Sequence, residues 1–333
     1  MNKILITGGA GYIGSHTAVE LYAAGYEPVV CDDFSNSDPS VLERIERITG
    51  RRPKLVEGDL KDKAFVKKLF DKAEIDACIH FAGYKAVGES VEKPLAYYEN
   101  NLFSAINVLK EMGARGIKKF IFSSSATVYG KAEVLPLTED SPVGGTTNPY
   151  GATKLMIEDI LRDTAKSDPA WSIVILRYFN PVGAHESGLI GEDPKGIPNN
   201  LMPFVAKVAA GELPCVNVFG NDYPTPDGTG VRDYIHVVDL AKGHTAALNH
   251  IRGGCAVYNL GTGRGSSVLE IIRAFERACG KKLPYKITPR RPGDIAACWA
   301  SPEKAAAELN WKAEKGLDEM CADTWSFQCA LAH

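Results

Sequence analysis

The 333-residue sequence predicts an α/β protein: a doubly wound parallel sheet with a second, smaller α/β substrate domain set on it. Three observations point there. Short β-branched runs alternate with amphipathic stretches of helix length through the first half, a glycine-rich turn follows the first run, and the texture changes after Asn180. In chain order the strand candidates are Lys3 to Thr7, Glu27 to Asp32, Lys54 to Glu57, Ala77 to Phe81, Lys119 to Ser123 and Ser172 to Arg177. Between them lie helical candidates such as Ile13 to Ala24, Lys63 to Asp71, Pro94 to Arg115 and Pro149 to Lys166. This is the rhythm of consecutive βαβ units, which build parallel sheets with helices on both faces.

After Asn180 the breakers Pro181, Gly183, Gly188, Gly191, Pro194, Gly196 and Pro198 interrupt the chain before a helix opens near Leu201. Beyond it, short strands (Val216 to Phe219, Val257 to Leu260) mix with helices (Val237 to Ile251, Ser267 to Ala278, Leu317 to Ala330). The expected division is 1–180 and 181–333, with part of 233–262 packing back on the first domain.

Composition removes several function classes. Hydrophobic residues are 45% and charged residues 24%, ordinary for a globular chain and unlike a disordered or fibrous one. The formal net charge of −3 supplies no positive field for nucleic acid or a membrane surface. No apolar run near the start has the length of a signal sequence, and none later approaches a membrane span, so a cytosolic location is expected. The eight cysteines lack Cys-x-x-Cys spacing, and the seven histidines lack ligand spacing, with His236 and His244 read as packed groups; no metal site is expected.

The turn after the first strand reads Gly8-Gly9-Ala10-Gly11-Tyr12-Ile13-Gly14. Glycines allow a tight turn and close backbone approach to a pyrophosphate, and the following helix directs its free N–H groups at the negative charge. An acidic pair, Asp32-Asp33, ends the second strand 18 residues past Gly14, where a carboxylate binds ribose hydroxyls and repels a 2′-phosphate. A Rossmann-type dinucleotide domain that takes NAD in preference to NADP is therefore expected. Gly58-Asp59-Leu60 and Phe81-Ala82-Gly83-Tyr84-Lys85 follow the third and fourth strands and extend the same crevice.

Tyr150 and Lys154 stand four apart at the start of a helix, on one face. A phenol of pKa ~10 is about one part in a thousand ionised at neutral pH, and a neighbouring ammonium favours the phenolate needed to take a proton from an alcohol. Hydroxyls of Ser123-Ser124-Ser125 at the end of the fifth strand face the same crevice.

These motifs, with Ser125-Ala126-Thr127-Val128-Tyr129-Gly130 and Arg177-Tyr178-Phe179-Asn180-Pro181, resemble the extended short-chain dehydrogenase/reductase superfamily. Asn199-Asn200-Leu201, Phe219-Gly220-Asn221-Asp222-Tyr223-Pro224-Thr225, Gly228 through His236 and Arg291-Pro292-Gly293-Asp294 resemble its UDP-glucose 4-epimerase family more closely, and the likeness runs from Met1 to the last helix. The resemblance implies Tyr150 as general base, Lys154 as its electrostatic partner and ribose ligand, and Ser125 sharing the proton of the sugar 4-hydroxyl. It implies an NAD site lined by Gly8, Gly11, Tyr12, Ile13, Gly14, Asp32, Asn36, Asp59, Leu60, Phe81, Lys85, Asn100, Tyr150, Lys154 and Phe179. A UDP-sugar would be held by Ser125, Asn180, Asn200, Leu201, Val216, Asn217, Val218, Phe219, Arg232, Tyr234, Arg291, Asp294 and Cys298. The two arginines suit phosphate oxygens physically, as planar bidentate donors.

The implied reaction interconverts UDP-glucose and UDP-galactose within galactose metabolism: C4 is oxidised with tightly bound NAD, the 4-keto sugar rotates, and hydride returns to the other face. Cys298 stands where some epimerases restricted to the hexose pair carry a bulky Tyr, so turnover of UDP-N-acetylglucosamine and UDP-N-acetylgalactosamine is also expected. Homodimerisation is implied by the family alone. The alternative is another NAD-dependent nucleotide-sugar epimerase or a dehydratase. The dehydratase branch places an Asp-Glu pair after the strand-5 hydroxyl, whereas Ala126 and Thr127 stand here.

Overall fold

The computed structural model describes residues 2–131, 134–194, 198, 200–291 and 294–331. Gly196, Asn199, Pro292 and Gly293, which belong to segments singled out above, lie outside them. The first half runs β1 (Lys3–Thr7), α1 (Tyr12–Ala23), β2 (Glu27–Asp32), α2 (Val41–Thr49), β3 (Lys54–Glu57), α3 (Lys63–Lys72), β4 (Ala77–His80), α4 (Val87–Glu92), α5 (Pro94–Ala114), β5 (Lys119–Ser125), a 3-10 turn (Ala126–Tyr129), α6 (Pro149–Ser167) and β6 (Ser172–Tyr178). Then come β7 (Asn180–Val182), α7 (Leu201–Ala209), β8 (Val216–Phe219), β9 (Val231–His236), α8 (Val237–His250), β10 (Gly254–Leu260), β11 (Gly265–Ser267), α9 (Val268–Cys279), β12 (Tyr285–Thr288), β13 (Ala297–Cys298), α10 (Glu303–Leu309) and α11 (Leu317–Leu331).

Seven parallel strands form the main sheet in the order β10-β6-β5-β4-β1-β2-β3. Their β-branched and aromatic side chains are buried on both faces, under α1, α2 and α8 on one side and α3, α5 and α6 on the other. This is the doubly wound Rossmann-type sheet expected. The strand order reverses between β1 and β4, the switch point where open α/β sheets open a crevice beyond the carboxyl ends of their strands.

One residue, Phe179, separates β6 from β7, so the chain passes directly from the main sheet into a second one. There β9 is central, paired with β11, β13 and β7, while β8 and β12 form a separate two-stranded ladder. Helices α7, α9 and α11 pack around a third apolar cluster that includes Val205, Val216, Val218, Phe275 and Met320. A capping box, Ser267 with Glu270, starts α9. The strand over 257–260 begins earlier, at Gly254, and pairs with β6 in the main sheet. Among the described residues no helix is long and apolar enough to cross a membrane.

Several elements had no sequence assignment. The central strand β9 reads Val-Arg-Asp-Tyr-Ile-His, with no apolar alternation, because its buried Asp233 is satisfied by N–H groups of Thr262, Gly263 and Ala300 at 2.9 to 3.1 Å. Tertiary hydrogen bonds replace the apolar signal there.

Candidate active site

The glycine turn closes on itself at the end of β1. A Cβ on Gly14 would lie 2.4 Å from the Gly8 carbonyl, and Gly8 has φ +66°, so neither position accepts a side chain. Gly11 caps α1 without a side-chain hydrogen bond, which leaves the first N–H groups of the helix for an anion. Asp32 at the end of β2 accepts from Ala10 N at 2.9 Å, Phe34 N at 3.0 Å and the Ser37 hydroxyl at 2.7 Å. One carboxylate thus braces the turn and keeps acceptor capacity for a further donor. Asn36 is exposed on the same loop, beside it.

Around this crevice the predicted cofactor residues converge. Lys61 bridges Asp59 (3.1 Å) and Asn100 (3.2 Å), Leu60 is buried between them in sequence, and the Phe81 ring lies 4.7 Å from that of His244. The Tyr12 hydroxyl donates to the Gly183 carbonyl at 2.7 Å, tying the start of α1 to the loop after β7. Lys85 is paired with Glu192 at 3.1 Å.

Helix α6 presents the catalytic candidates. Asn148 caps it, accepting from Gly151 N at 2.9 Å, and Pro149 occupies its first turn, so Tyr150 enters at a fixed angle. Lys154 is buried one turn later and donates to the Ser123 carbonyl at 2.7 Å, with its Nζ 5.9 Å from the Tyr150 ring centre. Burial pulls the Lys154 pKa down to about 8, and the Glu158 carboxylate a further turn along opposes that fall. The Tyr150 phenol behaves differently from the sequence expectation. Burial pushes its pKa up, the hydrogen-bonded Ser125 hydroxyl pulls it down, and burial prevails.

Beyond Ser125, the residues predicted to hold the sugar nucleotide are spread over β7, α7, β8, β9, β13 and the segment before β13. Arg232, Arg291 and Asp294 form one cluster: Asp294 accepts from Arg291 Nε at 2.9 Å and lies 3.9 Å from Arg232, while Arg291 covers the Phe219 ring at 4.8 Å. Tyr234 is buried beneath, its pKa pushed up to about 12 by burial while both arginines oppose. Cys298 pairs with Arg232 in the β13–β9 ladder and belongs to one buried cluster with Val128, Tyr129 and Phe179. Asn180 is exposed at the start of β7, and Asn200 is exposed at the cap of α7 next to Leu201. Along β8 the pleat divides the four predicted positions. Val216 and Val218 are fully buried in the core, so their side chains are unavailable to a ligand and only their backbone is offered. Asn217 and Phe219 point the other way, and the buried Asn217 Oδ1 has no protein partner.

A family model described as GDP-mannose 4,6 dehydratase matches residues 5–324. The chain is 60% identical to the UDP-glucose 4-epimerase of Bacillus subtilis (strain 168) over 98% of its length and 96% of that protein's. It is 58% identical to the Homo sapiens UDP-glucose 4-epimerase over 98% and 96%. The crystal structure of the Bifidobacterium longum UDP-glucose 4-epimerase in complex with NAD+ and UDP superimposes with a TM-score of 0.96 at 60% identity, covering 99% and 98% of the two chains. The chain belongs to the UDP-glucose 4-epimerase family.

In this UDP-glucose 4-epimerase family member, several site residues carried no signal in the sequence. Buried Asn101 accepts from Tyr84 N at 2.8 Å and donates to Thr153 at 2.9 Å, joining the strand-4 loop to α6. Thr127 donates its N–H to Ser125 Oγ at 3.2 Å, and its own hydroxyl is buried with no protein partner beside that serine. Glu192 joins two predicted ligands, Lys85 and Asn200, at 3.1 and 2.9 Å. Only Thr127 lies within a local motif. A depression of about 640 Å³ between α1, α8 and α10, lined by Glu20, Lys242, Asn310 and Trp311 among others, holds none of these residues.

Proposed function

We infer that this chain interconverts UDP-glucose and UDP-galactose at a single NAD-bearing site. The observation that carries the reading is the placing of Tyr150 at the start of α6 and Ser125 at the end of β5, next to the buried Lys154 ammonium and at the same carboxyl end of the parallel sheet as the glycine turn. A proton acceptor, a hydroxyl relay and a cation at one end of a dinucleotide fold are what reversible oxidation of a secondary alcohol requires.

The glycine turn fits NAD, because its tight closure at the end of β1 leads into α1, whose first N–H groups are left for an anion such as a pyrophosphate. Asp32 would receive the ribose hydroxyls, Lys85 a phosphate, and Lys154 the second ribose. The chemistry NAD supplies when bound is reversible acceptance of the C4 hydride, which leaves the sugar as a 4-ketone until the hydride returns to its other face. Tyr150 takes the O4 proton through Ser125 and returns it, while Lys154 offsets the phenolate charge. Arg232 and Arg291 would grip the pyrophosphate of the UDP-sugar, and Asn217 Oδ1 would accept from the uracil ring. Strong grip on UDP and weak grip on the hexose leave the sugar able to turn.

The finer parts of the reading rest on separate features. Cys298, smaller than a Tyr and in one buried cluster with Val128 and Phe179, supports turnover of the N-acetylated sugars. Exposed Val91 (62%), Leu95 (81%) and Phe103 (51%) along α4 and α5 support a homodimer through those helices. Eight free thiols support a reducing, cytosolic setting. Residues 1–180 would hold the cofactor and 181–333 the sugar nucleotide, with α8 and β10 serving the main sheet.

The test is to incubate the purified protein with UDP-galactose and separate the products by chromatography, then denature a second sample and assay the supernatant for NAD. UDP-glucose formed without added cofactor, together with NAD released on denaturation, is expected. No interconversion in the presence of added NAD overturns the reading.

A further inference from the structure

Glu192 leaves a loop that is closed on itself and pressed against the C-terminal helix. Ala184 and Gly191 form an antiparallel bridge, and His185 N donates to the Ile190 carbonyl at 3.0 Å. A Cβ on Gly191 would stand 2.4 Å from the Phe327 ring, so the loop lies flat on α11 with no room between. Glu192 therefore projects from a fixed base, with its side chain only 9% exposed.

Its Oε1 accepts from two donors that belong to different parts of the fold: Lys85 Nζ at 3.1 Å, from the loop after β4, and Asn200 Nδ2 at 2.9 Å, from the cap of α7. Burial pushes the pKa of the Tyr12 phenol up, and the Glu192 charge adds to that rise, which places the carboxylate within reach of the start of α1. Both hydrogen bonds are to one anionic oxygen, so they are charge-assisted and geometrically linked: a donor that shifts toward another anion changes the field felt by the second. Residues distant from the reacting carbon are where binding energy is converted into orientation.

We propose that Glu192 is a positioning residue that couples the cofactor side of the cleft to the nucleotide-sugar side by holding Lys85 and Asn200 on one carboxylate oxygen. The proposal rests on the functional reading above, in which Lys85 serves NAD and Asn200 serves UDP. Coupling between two sites is reciprocal, so a change at Lys85 must be felt by UDP and a change at Asn200 by NAD.

The experiment uses holoenzyme of wild type, K85M and N200A, each also combined with E192A. UDP affinity is measured by titration calorimetry, and NAD loss is followed by fluorescence after dilution. K85M is expected to weaken UDP binding about fivefold or more, and N200A to accelerate NAD loss by a similar factor. In the E192A background both cross effects vanish while the direct effects, of K85M on NAD and N200A on UDP, remain. Should E192A fold poorly, E192Q serves: it keeps the shape and one acceptor oxygen but loses the charge, and at least half of the coupling in logarithmic terms is expected to go. Cross effects below twofold in the wild-type background, or of equal size with and without Glu192, overturn the proposal while leaving the functional reading intact. Absence of the direct effects overturns both.

Discussion

Glu158 and Arg177 form a two-point ion pair in the core, with Nε 2.9 Å from Oε1 and Nη2 2.6 Å from Oε2. Ser124 donates to the same carboxylate at 2.6 Å, and Arg177 also reaches the Tyr129 hydroxyl at 3.1 Å. Since Tyr150, Lys154 and Glu158 recur every four residues on α6, the pair anchors to β6 the helix that carries the catalytic candidates.

Glu158→Gln leaves a buried guanidinium without its counter-ion and should cost about 3 to 5 kcal/mol, read as a lowered urea midpoint. It also removes the charge that opposes the fall of the Lys154 pKa from 10.5 to about 8. Lys154 is protonated below that value, so the alkaline limb of the activity profile should move to lower pH in the variant. An unchanged limb would separate Glu158 from Lys154.

Tyr150→Phe should lower kcat by about 10²-fold or more while leaving the affinity for UDP unchanged. Ser125 pulls the phenol pKa down against burial, so in Ser125→Ala the acid limb, where the base must be deprotonated, should move to higher pH. Lys154→Met should move it the same way. A Tyr150→Phe enzyme retaining more than about a tenth of wild-type kcat would remove the base assignment.

Asp32 serves the glycine turn as well as any ribose, through its bond from Ala10 N. Asp32→Ala should reduce NAD affinity about tenfold or more, since charge-assisted bonds are lost, and should affect NADP less, narrowing the preference. Titration calorimetry on apoprotein decides: equal NAD and NADP affinities in wild type contradict the selectivity.

Cys298→Tyr should cost turnover of UDP-N-acetylglucosamine about 10²-fold while sparing UDP-glucose, because an oversized side chain in a packed cluster with Phe179 and Val128 crowds the larger sugar. Chromatography of both product pairs reads the outcome. Loss of both activities together would make Cys298 a packing residue without a view of the sugar.

Three buried histidines set an acid limit on stability. Burial lowers the pKa of His16 and His80 to about 3 and of His244 to about 4. The unfolded chain takes up their protons near pH ~6.5 while the folded chain does not, so their contribution is complete above ~6.5 and is lost as pH falls toward 4 and below. Urea midpoints at about pH 7.5 and about pH 5 should show the drop, and His244→Phe, which keeps a ring against Phe81 and Tyr178, should shrink it. An undiminished drop would place the titrating groups elsewhere.

The main sheet and the candidate pair Tyr150 and Lys154 were legible in the sequence because their signals are local. Buried parallel strands read as short apolar runs, the glycines stand at fixed spacing, and Tyr150 and Lys154 are one helical turn apart. Central strand β9 was not, since its buried Asp233 draws its partners from residues about thirty and about seventy positions away. Glu192 meets Lys85 across 107 residues of sequence, and no spacing rule reaches that far. On β8 the motif was visible, but which pleat face looks inward depends on α7 and α9 lying beneath it, so the sequence does not show that Val216 and Val218 turn their side chains into the core and leave only backbone for a ligand.

The return of β10 to the edge beside β6 governs how this chain tolerates recombination. A fragment stopped near residue 180 would expose β6 as a long apolar edge, open to pairing with other chains, and would strip α8 from its contact with α1. Chimaeras that exchange residues 181–333 between homologues at a single crossover would therefore import a foreign edge strand and a foreign helix into the main sheet. Two further crossovers, flanking α8 and β10, would let the rest of 181–333 be exchanged without disturbing the sheet that carries the glycine turn.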